Sequence, residues 1–303
     1  MLAALPYRLS SVFIVVALCI TGLSALGEFR VSSQMEVALA GAAVALAGLP
    51  HGAADGWLAR HGGLARSLPR ALCFFAGYLG LAAMVLAVWN VLPVLCLGVF
   101  LIMSAWHFGD NKVVASPVVA RITSGLVILG APAVFSQPEV AAIYADLSAP
   151  GAAGLVEAQR MLFWPACAVV VIGFLCDSCR WPKVPSLVDL IALVGLASLV
   201  SPLLYFVVFF CGVHSPRHLA LVLQLAVGRR DAFFWGSVSA FTLVAALAGA
   251  GVFFWLIRSG EPLEAAGLRV IFVGLAALTL PHMLLVDGLY PWLRRRVLTS
   301  TRR

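Results

Sequence analysis

Charge is what this chain lacks. Of its 303 residues, 11% are Asp, Glu, Lys or Arg and 62% are hydrophobic. Soluble domains carry roughly 25% charged and roughly 45–50% apolar residues. A globule of this length cannot hide that much apolar surface, so a soluble enzyme and a disordered chain are both excluded. The 20 basic residues outnumber the 13 acidic ones, but they form no continuous stripe, and this argues against a nucleic-acid-binding domain. Also missing are the short apolar–polar alternation of a membrane barrel, any internal repeat and any low-complexity stretch. The seven cysteines are scattered, and Cys176-Asp-Ser-Cys179 is a lone C-x-x-C whose simplest reading is small residues at a helix end.

What remains is a series of long apolar runs. Lipid admits only helices and closed barrels, because every backbone polar group needs an internal partner. The runs therefore predict an all-α, polytopic bundle of transmembrane helices forming a single integral membrane domain over 1–303. Ten spans are expected, at 10–27, 36–57, 71–89, 92–109, 116–135, 161–176, 187–200, 202–227, 232–257 and 267–290. Ser201-Pro202 is either a tight turn between the seventh and eighth or a kink within one broken element, and the second choice gives nine. The first span is read as a helix, with a cleaved signal peptide as the alternative. With the N-terminus inside, the cytoplasmic segments hold 15 of the 20 basic residues, the outer segments hold Arg30, Arg160, Arg258 and Arg269, and Arg217 lies within a span. That asymmetry favours ten spans, both termini cytoplasmic, in a cell membrane.

Five of the six histidines fall inside spans. The sixth, His61, sits in the basic loop Arg60-His61-Gly62-Gly63 and reads as solvated. His51, His107, His214, His218 and His282 lie on spans two, four, eight and ten, which all run from outside to inside. Each stands 12 to 16 residues from its outer helix end, or ~18–24 Å deep at 1.5 Å per residue. A lone intramembrane histidine is as often a satisfied structural group as a functional one. Five at one depth call for a common polar centre. His214 and His218 stand at i and i+4, one face of a helix, and suit two bonds to one metal. Imidazoles without nearby carboxylate ligands favour iron, copper, zinc or nickel over magnesium or calcium. Iron(II) fits best, with zinc and copper as alternatives.

The acids around this layer read as support, since a ligating histidine gives its other ring N–H to a carboxylate or carbonyl. Asp55 is four residues after His51 and Asp110 three after His107; the competing reading for each is an interfacial cap or ion pair. Arg217 needs an anion, with Asp55, Asp110 and Asp287 as candidates and Asp189 read as interfacial. Trp57, Trp106, Phe108, Tyr205, Phe206, Phe209, Phe210 and Met283 are candidate walls of a slot for a rigid apolar substrate, although any one of them is more often a core or lipid-facing residue. Gly52, Gly109 and Gly212 beside the histidines suit close helix approach.

The segments Gly48-Leu-Pro-His51-Gly-Ala-Ala-Asp55, Ser104-Ala-Trp-His107-Phe-Gly109, His214-Ser-Pro-Arg217-His218-Leu and Pro281-His282-Met283 resemble, in order and spacing, the Brp/Blh family of bacteriorhodopsin-related integral membrane β-carotene dioxygenases. The likeness spans roughly 48–283, with no matching motif in 111–200. It implies cleavage of the central 15,15′ double bond of β-carotene with O2, giving two retinal molecules, at an Fe(2+) held by His51, His107, His214 and His218. It also implies a functional link to a retinal-binding rhodopsin. His282 is similar to the family's later P-H position, where a fifth metal contact, a proton donor and a structural group all stay open. In this chain Asp110 follows Gly109 directly, a departure from the family's pattern. Two other classes compete. A haem-binding electron carrier explains facing histidines but not H-x-x-x-H on one face. A metal or proton transporter predicts polar residues spread through the depth rather than gathered in a layer. A membrane hydroxylase or desaturase calls for more histidines, enough for two metals.

Overall fold

The computed structural model describes residues 15–23, 32–109, 117–148, 150–176, 184–226 and 232–289, and among them there is helix and no strand. A helical stretch α1 covers 15–23. It is followed by α2 (Ser33–His61), α3 (Leu68–Val91), α4 (Pro93–Phe108), α5 (Val118–Phe135), α6 (Gln137–Ser148), α7 (Ala153–Leu175), α8 (Val184–Ala197), α9 (Pro202–Leu223), α10 (Ala232–Arg258) and α11 (Leu263–Leu289). Among the described residues seven of these, α2, α3, α5, α7, α9, α10 and α11, are long and apolar enough to cross a membrane; α4 and α8 are apolar but shorter.

The helix boundaries follow local chemistry. Ser32 caps α2 by accepting from the Met35 N–H, and Ser201 caps α9 by accepting from Leu204. Pro93 and Pro202 sit at the first turn of α4 and α9, where a missing N–H costs nothing. Leu92, between α3 and α4, is non-helical with φ −132°, as the residue before a proline should be. Ser201-Pro202 separates two helices, α8 and α9, rather than kinking one. Pro132 sits inside α5 and cannot bond the carbonyl four residues back. That carbonyl, Ile128 O, accepts from the Tyr205 hydroxyl at 2.8 Å, which ties α5 to α9.

One stretch departs from expectation. The stretch 136–160, expected as a long outer loop, is largely helical. Its first part is α6, which buries Val140, Tyr144 and Leu147, a three-to-four-residue spacing with polar residues between. The rest joins α7, which begins at Ala153, eight residues before the expected start.

The apolar core gathers α2, α4, α5, α6, α7, α8, α9 and α11, and a second, separate cluster forms around Trp57, Phe234 and Leu285. By contrast α10 exposes Leu243, Val244, Leu247, Phe254 and Trp255; such a surface suits lipid, not water. Helices α4 and α5 approach closely. A Cβ on Gly125 would lie 1.9 Å from Ala105 O, and one on Gly109 1.7 Å from Arg121 O. Gly52 and Gly212 have nothing within 4 Å of that position, so of the three glycines beside the histidines only Gly109 serves close approach.

Candidate metal centre

Three of the four histidine-bearing helices change pitch at the site. Val44–Gly48 of α2, Val207–His214 of α9 and Leu284–Leu289 of α11 are π-helical. Such turns are rare and gather at functional sites. Here they stand beside His51, at His214 and just past His282.

The five in-span histidines converge from α2, α4, α9 and α11. Their side chains are buried, from 2% exposed for His107 to 9% for His214. Ring centroids are 5.5 Å apart for His51–His214, 4.8 Å for His214–His107, 5.3 Å for His107–His282, 5.2 Å for His282–His218 and 5.6 Å for His218–His51. These contacts form a closed loop of five imidazoles, and His51–His282 crosses it at 5.1 Å. His61 is apart, exposed and stacked on Trp57 at 4.9 Å.

Three of the rings have Nδ1 committed. His51 Nδ1–H donates to the Gly48 carbonyl, with Ser215 Oγ 3.1 Å away. His107 Nδ1–H donates to Asp287 Oδ2 at 3.1 Å. His282 Nδ1–H donates to Asp55 at 2.9 Å. Fixing the proton on Nδ1 leaves Nε2 as the lone-pair nitrogen. Nε2 of His282 is buried and has no hydrogen-bond partner.

The carboxylates are anchored in turn. Arg121 Nη2 donates to Asp287 Oδ2 at 3.1 Å, its Nε donates to Trp106 O at 2.6 Å, and its guanidinium lies 3.9 Å over the Trp106 ring. Asp55, 3% exposed, accepts from the Tyr78 hydroxyl at 2.9 Å. These pairings revise the expectations. Asp55 supports His282 across the bundle, not His51 one turn away. Asp287, five residues past His282, supports His107. Arg121, in the first turn of α5, also belongs to this network. Arg217 pairs with Asp189 at 2.6 Å, joining α9 to α8, and Asp189 is buried; Arg217 thus meets an anion, Asp189, that is not one of the three expected candidates. Asp110 lies outside the described residues.

The cluster forms one end of a cavity of about 1350 Å³; sites for drug-sized ligands run roughly 300–1,000 Å³. His51, His107, His214, His282, Asp55 and Tyr78 are on its wall, and His218 stands behind them. Along α11 the wall extends from His282 back to Leu263, 19 residues or ~28 Å. Of the expected aromatic walls, Phe108, Tyr205, Phe206, Phe209 and Phe210 line it. Trp57, Trp106 and Met283 are not lining residues: Trp57 packs on His61 and Phe234, and Trp106 carries Arg121. Ser104 Oγ also faces this space, buried and without a hydrogen-bond partner.

The donor set suits a borderline metal. An imidazole bound at ~2.1 Å places its ring centroid ~3.2 Å from the ion, so neighbouring ligands at tetrahedral or square angles stand roughly 4.6–5.3 Å apart. The observed loop, 4.8 to 5.6 Å, is wider by a few tenths of an ångström. Accordingly, among the described residues no three His, Cys, Asp or Glu side chains already stand in metal-holding geometry.

The architecture is that of an all-helical protein built around a buried ring of histidines at the end of an apolar cavity. The profile of a family described as "Beta-carotene 15,15'-dioxygenase" matches residues 42–290, a stretch containing all five histidines. A curated protein named "Beta-carotene 15,15'-dioxygenase", from uncultured marine bacterium 66A03, is 31% identical over 258 residues, covering 82% of this chain and 92% of its own. No solved structure matches. The chain belongs to the β-carotene 15,15′-dioxygenase family.

Proposed function

We propose that this protein is a membrane-embedded carotenoid-cleaving dioxygenase that converts β-carotene and O2 to two molecules of retinal, at an iron(II) held by His51, His107, His214 and His218. The observation that carries this reading is the closed loop of imidazoles at the end of a long apolar cavity. When bound, the iron supplies dioxygen activation. The chain's residues do the rest. Gly48 O and Asp287 hold His51 and His107 with Nε2 toward the centre. Phe108, Phe209, Phe210 and Phe206 give the polyene flat apolar contacts, and Tyr205 presents its ring while its hydroxyl is spent on Ile128 O. The apolar wall keeps water from the cut ends. Both oxygen atoms enter the two aldehydes, so no outside reductant and no side-chain nucleophile is required.

Carotene and dioxygen both partition into lipid, consistent with a site inside the bilayer. Ten spans with both ends cytoplasmic place the histidines just to the cytoplasmic side of the midplane, in the cell membrane. The ring contacts count against a haem carrier, since imidazoles this close leave no slot for a macrocycle. The gathering of five at one depth counts against a transport pathway.

Expression in a carotene-producing bacterial host tests the proposal. The expected result is loss of colour with appearance of retinal, abolished by alanine at any one of His51, His107, His214 or His218. Unchanged pigment at good expression with iron supplied contradicts it.

A further inference from the structure

We propose that His282 is a fifth imidazole donor to the metal, held in its ligating tautomer by Asp55, with Tyr78 as the positioning residue behind that carboxylate. The inference rests on the metal-site reading above and extends it beyond the four histidines assigned there.

Geometry carries the case. The His282 ring stands 5.1 Å from His51, 5.3 Å from His107 and 5.2 Å from His218. These separations fall within the span set by the other four rings among themselves, 4.8 to 5.6 Å. Without His282 the loop is open: it alone bridges His107 to His218. The large majority of buried side-chain polar atoms have a hydrogen-bond partner, and one that lacks it calls for an explanation. His282 is 4% exposed, spends Nδ1 on Asp55 and leaves Nε2 buried with no hydrogen-bond partner. A nitrogen in that state is unfavourable in an apolar interior, and a cation at the centre of the loop would satisfy it.

The support runs outward in one line. Asp55 accepts from His282 and from the Tyr78 hydroxyl, both at 2.9 Å. Asp55 is 3% exposed, and the bond from Tyr78 fixes which way its carboxylate faces. The line joins three helices: His282 comes from α11, Asp55 from α2 and Tyr78 from α3. Pro281 lies just before His282, and the π turn that starts at Leu284 follows it, so the histidine sits where the helix pitch changes.

The test uses the full-length protein in detergent, loaded with Co(II) as a spectroscopic probe. Visible absorption reads coordination number, and competition with a chelator reads affinity. His282→Ala should shift the Co(II) bands toward the stronger absorption of a site with one ligand fewer, and added imidazole should restore the original spectrum. Asp55→Asn should weaken Co(II) binding by about 10–100-fold, and Tyr78→Phe should weaken it by less, in the same direction. Tyr78→Phe removes only a hydroxyl, so it keeps the test open where His282→Ala fails to fold. A Co(II) spectrum and affinity that His282→Ala leaves unchanged overturn the proposal, and so does a Tyr78→Phe protein that binds Co(II) as tightly as wild type. Wild-type protein that binds neither Co(II) nor iron overturns the metal-site reading itself, which is a separate result.

Discussion

The two carboxylates that back the histidine loop differ in how their charge is held. On one side Asp287 faces His107 and is met by Arg121, whose guanidinium is itself pinned by Trp106. That side sets a cation against its carboxylate and links α4, α5 and α11. On the other side Asp55 faces His282 and is met by the Tyr78 hydroxyl, which carries no charge. A buried carboxylate with only neutral hydrogen-bond donors pays a desolvation cost that an ion pair offsets. Its natural counter-ion is a cation at the centre of the loop. The Arg121 side is therefore a fixed frame that holds with or without metal, while the Tyr78 side gains its full stabilisation from what the loop binds.

This contrast can be broken from either side. The largest effect should come from Gly125→Ala. The added Cβ meets the Ala105 backbone at 1.9 Å, so α5 must move away from α4 and take Arg121 with it. Overpacking against backbone should cost about 3 kcal/mol, read as a lower melting temperature in detergent and loss of retinal formation. Next, Asp287→Asn weakens the ion pair with Arg121 and should lower the melting temperature even in metal-free protein. Asp55→Asn should do the reverse, leaving the melting temperature of metal-free protein near wild type while abolishing most of its rise on adding metal. The same response from both asparagine variants would erase the distinction. The smallest effect is Trp106→Leu, which removes the ring under Arg121 and should lower the melting temperature by an amount corresponding to about 1 kcal/mol.

Much of this site is visible in the chain before any coordinates. His51, His107, His214, His218 and His282 are expected at a similar distance from the starts of their spans, and the structure brings their rings together from four helices, because position along a helix is a one-dimensional quantity that residue counting measures well. Which carboxylate serves which histidine is not one-dimensional. Asp55 lies one turn from His51 and serves His282, 227 residues away, because cross-bundle neighbours depend on how helices rotate against each other. Asp287 is out of phase with His282 at α-helical spacing, and it lies in a π segment that the sequence does not announce. Tyr78 stands alone in an apolar run, and a single hydroxyl carries no periodic signal. Trp57, Trp106 and Met283 sit at the right depth but face away from the cavity, again a matter of helix rotation. Arg121 sits near the start of an apolar run, and nothing in its spacing announces that it reaches from the first turn of α5 to Asp287. The short α6 escapes an apolar-run search because it is amphipathic.

The central claim is that the histidine loop holds the metal at which carotene is cleaved. The most direct measurement is the iron content of the purified protein, wild type against His107→Ala, with retinal formation assayed on the same samples. The account predicts bound iron and retinal in the wild type, and loss of both in the variant. Wild-type protein that forms retinal without bound iron or another metal would contradict it.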